Sequence, residues 1–154
     1  MTQTTAAITI LLVDDDDDDR DLARAAFAES QLRNDLHCVE SGEEMLAYLR
    51  REGPYSDPAV SPTPGIVLLD LNMPGMGGRE ALEELKRDEA LSHIPVIVMT
   101  TSKADEDVLS SYQHGASSYI TKPVTFEGLL NVVKGLQRYW LQIVELPNCA
   151  APEK

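Results

Sequence analysis

Five times in succession this chain sets a short apolar run ahead of a segment with helical spacing. That alternation limits its fold more than any other feature. The runs lie at about 8–14, 36–39, 66–70, 95–100 and 118–121. Continuous apolar runs bounded by polar residues read as strands buried on both faces. Between them, Arg20 to Gln31 carries Leu22, Ala25 and Ala26 on one side of a helix. Ser41 with Glu44 forms a capping-box pattern ahead of Met45, Leu46 and Leu49. Leu82 and Leu85 mark a third helix, Val108, Leu109 and Tyr112 a fourth, closed by Gly115. Thr125 caps a last helix bearing Phe126, Leu129, Leu130, Val133, Leu136, Trp140 and Ile143. The expected fold class is α/β: a doubly wound five-stranded parallel sheet with five helices.

The 154 residues suit one domain with a real core. The reading is a flexible N-terminus at 1–7, a single domain at 8–146 with an extended last helix, and a tail at 147–154. Residues 52–65, with Pro54, Pro58, Pro62 and Pro64, read as a surface insertion or a contact loop, with insertion favoured.

A net charge of −13 argues against a nucleic-acid partner, which would need clustered Lys and Arg. It argues equally against a polybasic membrane anchor. Ile8 to Val13 is too short for a signal peptide or membrane span. Cys38 and Cys149 show no metal-ligand or disulfide spacing, so a cytoplasmic location is expected.

Six aspartates, Asp14 to Asp19, follow the first apolar run directly. Two unit charges about 4 Å apart repel by about 4 kcal/mol at an effective dielectric of 20. In such a run some carboxylates stay protonated, or they face water, or a cation sits among them. Asp17 and Asp18 fit a solvated acidic turn at the positive end of the following helix dipole; Asp14 and Asp15, at the strand end, fit a cation site.

In a parallel sheet all carboxyl ends share one edge, where ligands bind. Asp14 and Asp15, Asp70, Thr100 and Lys122 therefore converge from four strands. Carboxylates without histidine or thiolate favour a hard divalent cation, most plausibly Mg²⁺. The set suits phosphoryl transfer to a carboxylate. Asp70 is the best nucleophile, being solitary at its strand end while Asp14 and Asp15 pair for the metal. Lys122 and Thr100 can bind phosphoryl oxygens, and the turn from Asn72 can offer a carbonyl ligand.

Ile10–Asp15, Leu68–Gly78, Pro95–Thr100 and Gly115–Pro123 together resemble the receiver domain of two-component response regulators, flavodoxin-like in fold, over about residues 8–140. The resemblance implies that Asp70 takes a phosphoryl group from a sensor histidine kinase. It implies Asp15, Asp70 and the Asn72 carbonyl as Mg²⁺ ligands, with Asp14 acting through water. Lys122 would contact the phosphoryl group, before a cis peptide bond to Pro123. Thr100 and Tyr119 match the family's switch pair. The aspartate run leaves a second register, Asp15/Asp16, open. Thr101 departs from the small apolar residue often found there, which bears on phosphate lifetime.

About thirty residues follow the fifth strand, so the expected output is a protein contact. Packing on the sheet accounts for Leu129 to Leu136. The apolar excess beyond it, through Trp140 and Ile143, is read as a homodimer interface, and Val133 and Leu136 are assigned to that interface as well. Residues 139–147 and the proline-rich loop resemble stand-alone regulators paired with phytochrome-type kinases, which implies a bacteriophytochrome partner. The chain is thus expected to be a signalling protein, not an enzyme. The main alternative is an aspartate-nucleophile phosphatase, which normally wants an acid where Asn72 stands. A purely structural interaction module is the third class.

Overall fold

The computed structural model describes residues 8–30, 34–70, 78–100, 118–121, 123 and 125–139. In order these form β1 (Ile8–Val13), α1 (Asp17–Glu29), β2 (Asn34–Val39), α2 (Gly42–Leu49) and a 3₁₀ turn (Gly53–Tyr55). There follow β3 (Ile66–Asp70), α3 (Gly78–Arg87), β4 (Val96–Thr100), β5 (Ser118–Thr121) and α4 (Phe126–Tyr139). The strands make one parallel sheet in the order β2-β1-β3-β4-β5. The fourth helix expected around Val108 falls outside the described residues, as do the segments 1–7 and 140–154.

Alternation along the strands divides the core in two. Leu11, Val13, Val67, Leu69, Val96 and Val98 pack against Met45, Leu46 and Leu49 of α2 and Leu82 and Leu85 of α3. Ile10, Leu12, Ile66, Leu68, Ile97 and Met99 face Ala23, Ala26 and Phe27 of α1 and Leu129, Val133 and Leu136 of α4. Helices therefore cover both faces. Each fully buried Leu, Ile or Val side chain contributes about 1.5–3 kcal/mol, against at most about 1 kcal/mol for an exposed ion pair. The sheet holds the site's frame, and surface charge does not.

Val133 and Leu136 were expected at an interface between copies. They are 0% and 5% exposed and belong to the core against α1 and the sheet. Their burial within the chain removes them from any second-copy contact. Trp140 and Ile143 lie outside the described residues.

The start of α1 also differs from expectation. It begins at Asp17, not Arg20, because Asp16 is its N-cap: the Asp16 carboxylate accepts from the N–H groups of Asp18 (2.8 Å) and Asp19 (3.1 Å). Asp17, Asp18 and Asp19 then occupy the first turn, where the helix dipole favours negative charge. The caps of α2 and α4 follow the sequence reading. Ser41 Oγ accepts from Glu44 N–H at 3.1 Å, and Thr125 Oγ1 from Gly128 N–H at 3.0 Å. The Glu44 carboxylate reaches back to Glu40 N–H (2.7 Å), one residue before the cap.

The proline-rich loop is closely held. Tyr48 Oη donates to the Pro62 carbonyl at 2.9 Å, and Tyr55 Oη donates to the Glu44 carboxylate. Arg51 takes the left-handed conformation (φ 59°) and donates to the Ser61 carbonyl (3.2 Å) and Thr63 Oγ1 (2.6 Å).

Candidate functional site

The sheet delivers three carboxylates to one edge. Val13 pairs with Leu69 in the β1–β3 register, so the residues that follow, Asp14 and Asp70, leave neighbouring strands at the same level. Carboxylate oxygens of Asp14, Asp15 and Asp70 all lie within 4.8 Å of one another. Asp14 and Asp70 are buried (1% and 2% exposed), while Asp15 is exposed. Burial of like charges is costly without compensation.

The main chain around Asp14 is fixed on several sides. Its N–H donates to the Val39 carbonyl at 3.1 Å. Its Oδ1 accepts from Asp16 N–H at 3.0 Å, and its carbonyl oxygen accepts from Arg20 at 2.7 Å. Asp16, committed to capping α1, is not among the three clustered carboxylates. The structure thus brings Asp14 and Asp15 to Asp70, rather than the Asp15/Asp16 register. A narrow apolar crevice lined by Leu22, Phe27, Met99 and Leu129 runs beneath Asp14 between α1 and α4.

The remaining expected site residues are partly described. Thr100 ends β4 opposite Thr121 of β5 on this same edge. Tyr119 lies within β5, opposite Val98. Lys122, its peptide bond to Pro123, Asn72 and Thr101 lie outside the described residues. Of the histidines, His37 sits on β2 with Nε2 3.0 Å from Asp35, and His93 is exposed; neither is at the site. Cys38 is half-buried on β2, and burial pushes its thiol above the usual range. Arg20 was passed over in the sequence, although a lone cation between Asp19 and Asp21 is a readable signal.

The donor set fits a hard divalent cation. Octahedral Mg²⁺ with ligands at about 2.1 Å spans oxygens up to about 4.2 Å apart. The cluster would close onto such an ion by shifts on the order of half an ångström. Oxygen-only ligation excludes the sites typical of structural zinc.

A doubly wound parallel sheet with a carboxylate trio at its carboxyl edge defines a class of α/β domain with an acidic site at the strand ends. The family profile of the response regulator receiver domain matches residues 10–134, and the chain belongs to that family. The response regulator Rcp1 of Synechocystis sp. is 38% identical over 126 residues, covering 82% of this chain and 84% of Rcp1. Among solved structures, the phosphorylated cyanobacterial phytochrome response regulator RcpA superposes with a TM-score of 0.79 at 40% identity. That match covers 88% of this chain and 95% of RcpA. The Mn²⁺-bound form of Rcp1 gives a TM-score of 0.76 at 36% identity, covering 88% of this chain and 96% of Rcp1. Among the described residues no helix is long and apolar enough to cross a membrane.

Proposed function

We propose that this receiver domain accepts a phosphoryl group on Asp70 from a phosphohistidine of a sensor kinase in the cytoplasm, and signals through altered protein contacts. The observation that carries this reading is the meeting of Asp14, Asp15 and Asp70 at one sheet edge. Asp14, Asp15 and Asp70 would hold Mg²⁺, with the Asn72 carbonyl as a further ligand. The ion would supply charge neutralisation for the phosphoryl oxygens. The Mn²⁺-bound Rcp1 structure supports a divalent ion in this class of site.

Asp70 Oδ would attack phosphorus, forming a P–O bond as the P–N bond of the donor breaks; the departing imidazole takes up a proton. Lys122 and Thr100 are the groups proposed to bind the transferred oxygens, and Thr100 with Tyr119 to relay the change. The likeness to RcpA supports a phytochrome-type kinase as the donor. A homodimer through the last helix would rest on Trp140 and Ile143, since Val133 and Leu136 are core residues.

Incubation with acetyl phosphate and Mg²⁺, followed by intact-mass measurement, tests the proposal. Wild type should gain one phosphoryl group per chain, and Asp70→Asn none. Equal labelling of both would remove Asp70 from the role. Repeated turnover of a phosphomonoester would instead favour a phosphatase.

A further inference from the structure

We infer that Arg20 is a positioning residue for the carboxylate site, gripping the main chain of Asp14 and thereby setting how tightly the site takes a divalent cation. The inference rests on reading the trio as a Mg²⁺ centre.

Arg20 lies in the second turn of α1, in the most acidic stretch of the chain, yet its side chain is only 8% exposed. Arg24, one turn later, shows what an ordinary surface arginine does here. It pairs with Asp21 at 2.9 Å and keeps 54% of its side chain in solvent. Both arginines have an aspartate three residues earlier, so local pairing explains Arg24 and leaves the burial of Arg20 unexplained. Desolvating a guanidinium costs several kcal/mol unless its donors are used.

Those donors join three segments. One nitrogen donates to the Asp14 carbonyl at 2.7 Å. The other contacts the Asp17 carboxylate and lies 3.7 Å from Glu40 Oε2, in the connection between β2 and α2. A planar fork suits such bridging, and a flexible ammonium does not. Together with the bond from Asp14 N–H to the Val39 carbonyl, both peptide groups flanking the Asp14 Cα are anchored. Asp15, the next residue, inherits that placement. The guanidinium donates to the main-chain oxygen of Asp14 and so holds the ligand segment through its backbone.

Two consequences of opposite sign separate positioning from simple charge. A fixed cation near the site repels a divalent ion, so charge alone predicts tighter binding when Arg20 is removed. Loss of a supporting group predicts weaker binding, typically about 10–100-fold for partners of metal ligands.

The test is Mg²⁺ affinity of the full chain by titration calorimetry, well below each variant's melting midpoint. Arg20→Met should raise the dissociation constant about tenfold. Arg20→Lys, which reaches the carbonyl but cannot fork to Glu40, should fall between Arg20→Met and wild type. Arg24→Met should match wild type. A folded Arg20→Met that binds as tightly as wild type, or more tightly, overturns the inference. If Arg20→Met fails to fold, the charge-conserving Arg20→Lys carries the test: weaker Mg²⁺ binding than wild type sustains positioning, and unchanged or tighter binding overturns it. Wild type that takes up no Mg²⁺ would instead defeat the metal reading itself.

Discussion

The acidic edge and the proline-rich loop at 52–65 are both built from carboxylates, carbonyls and hydrogen-bond donors, yet they spend them oppositely. In the loop, donors of this chain meet acceptors of this chain: Tyr48 on Pro62, Tyr55 on Glu44, Arg51 on Ser61 and Thr63. At the edge, three carboxylates crowd together. The nearest described arginine turns its fork to a main-chain oxygen, Asp17 and Glu40. A carboxylate facing a donor stabilises the fold by itself. Carboxylates facing one another repel, and a bound cation would offset that repulsion.

That contrast predicts which perturbations respond to Mg²⁺. At a hundred times its dissociation constant the ion should stabilise wild type by about 2.7 kcal/mol, seen as a rise in melting temperature. Asp15→Ala should abolish that rise; a full rise in Asp15→Ala would break the comparison. In metal-free buffer Asp70→Asn should melt above wild type, because one member of a repelling trio becomes neutral. A lower melting point would show that a partner of the Asp70 carboxylate outweighs the repulsion.

Smaller effects belong to the loop. Tyr55→Phe and Tyr48→Phe should each lower stability by about 1 kcal/mol in urea melts, with the Mg²⁺ increment unchanged. An increment that shrinks in either variant would mean the two regions are coupled.

The smallest effect is alkaline. Burial, aided by the charge of Asp35, pushes the Tyr48 phenol up to about 12. Burial, then the bond to Glu44, does the same for Tyr55, also to about 12. Unfolded phenols ionise near 10, so the folded chain holds these protons more tightly. Their contribution should be complete below pH 10 and fade between about 10 and 12. The double Phe variant should lose stability less steeply over that interval.

The strands were legible because each is buried on both faces and so apolar throughout: β3 and β5 match the expected ranges, and the others differ by one or two residues at an end. Asp70 was legible as the polar terminus of such a strand. The division of labour within Asp14–Asp19 was legible in part: Asp14 and Asp15 read as the strand-end pair and do cluster with Asp70, whereas the capping role of Asp16 was not legible. Identical side chains give no local signal of which one caps the helix, so the backbone path decides. The spacing to Asp17 is readable, but the two contacts that set Arg20 apart, to the Asp14 carbonyl and to Glu40 twenty positions away, are not. The order within the loop escaped notice because it depends on Tyr48 and Tyr55 reaching across the fold, which proline content cannot report. Val133 and Leu136 were read both as core and as interface because helical spacing shows an apolar face without saying what covers it; the core reading holds.

The capping of α1 by Asp16 turns the aspartate tract into a ruler. β1 pins Asp14 from upstream, and helical phase pins Arg20 from downstream. Each residue added or removed between them rotates the guanidinium by roughly 100° about the helix axis. Composition along the tract can therefore drift more freely than its length. A single-residue slip would leave a sequence that still looks acidic while aiming its arginine at solvent.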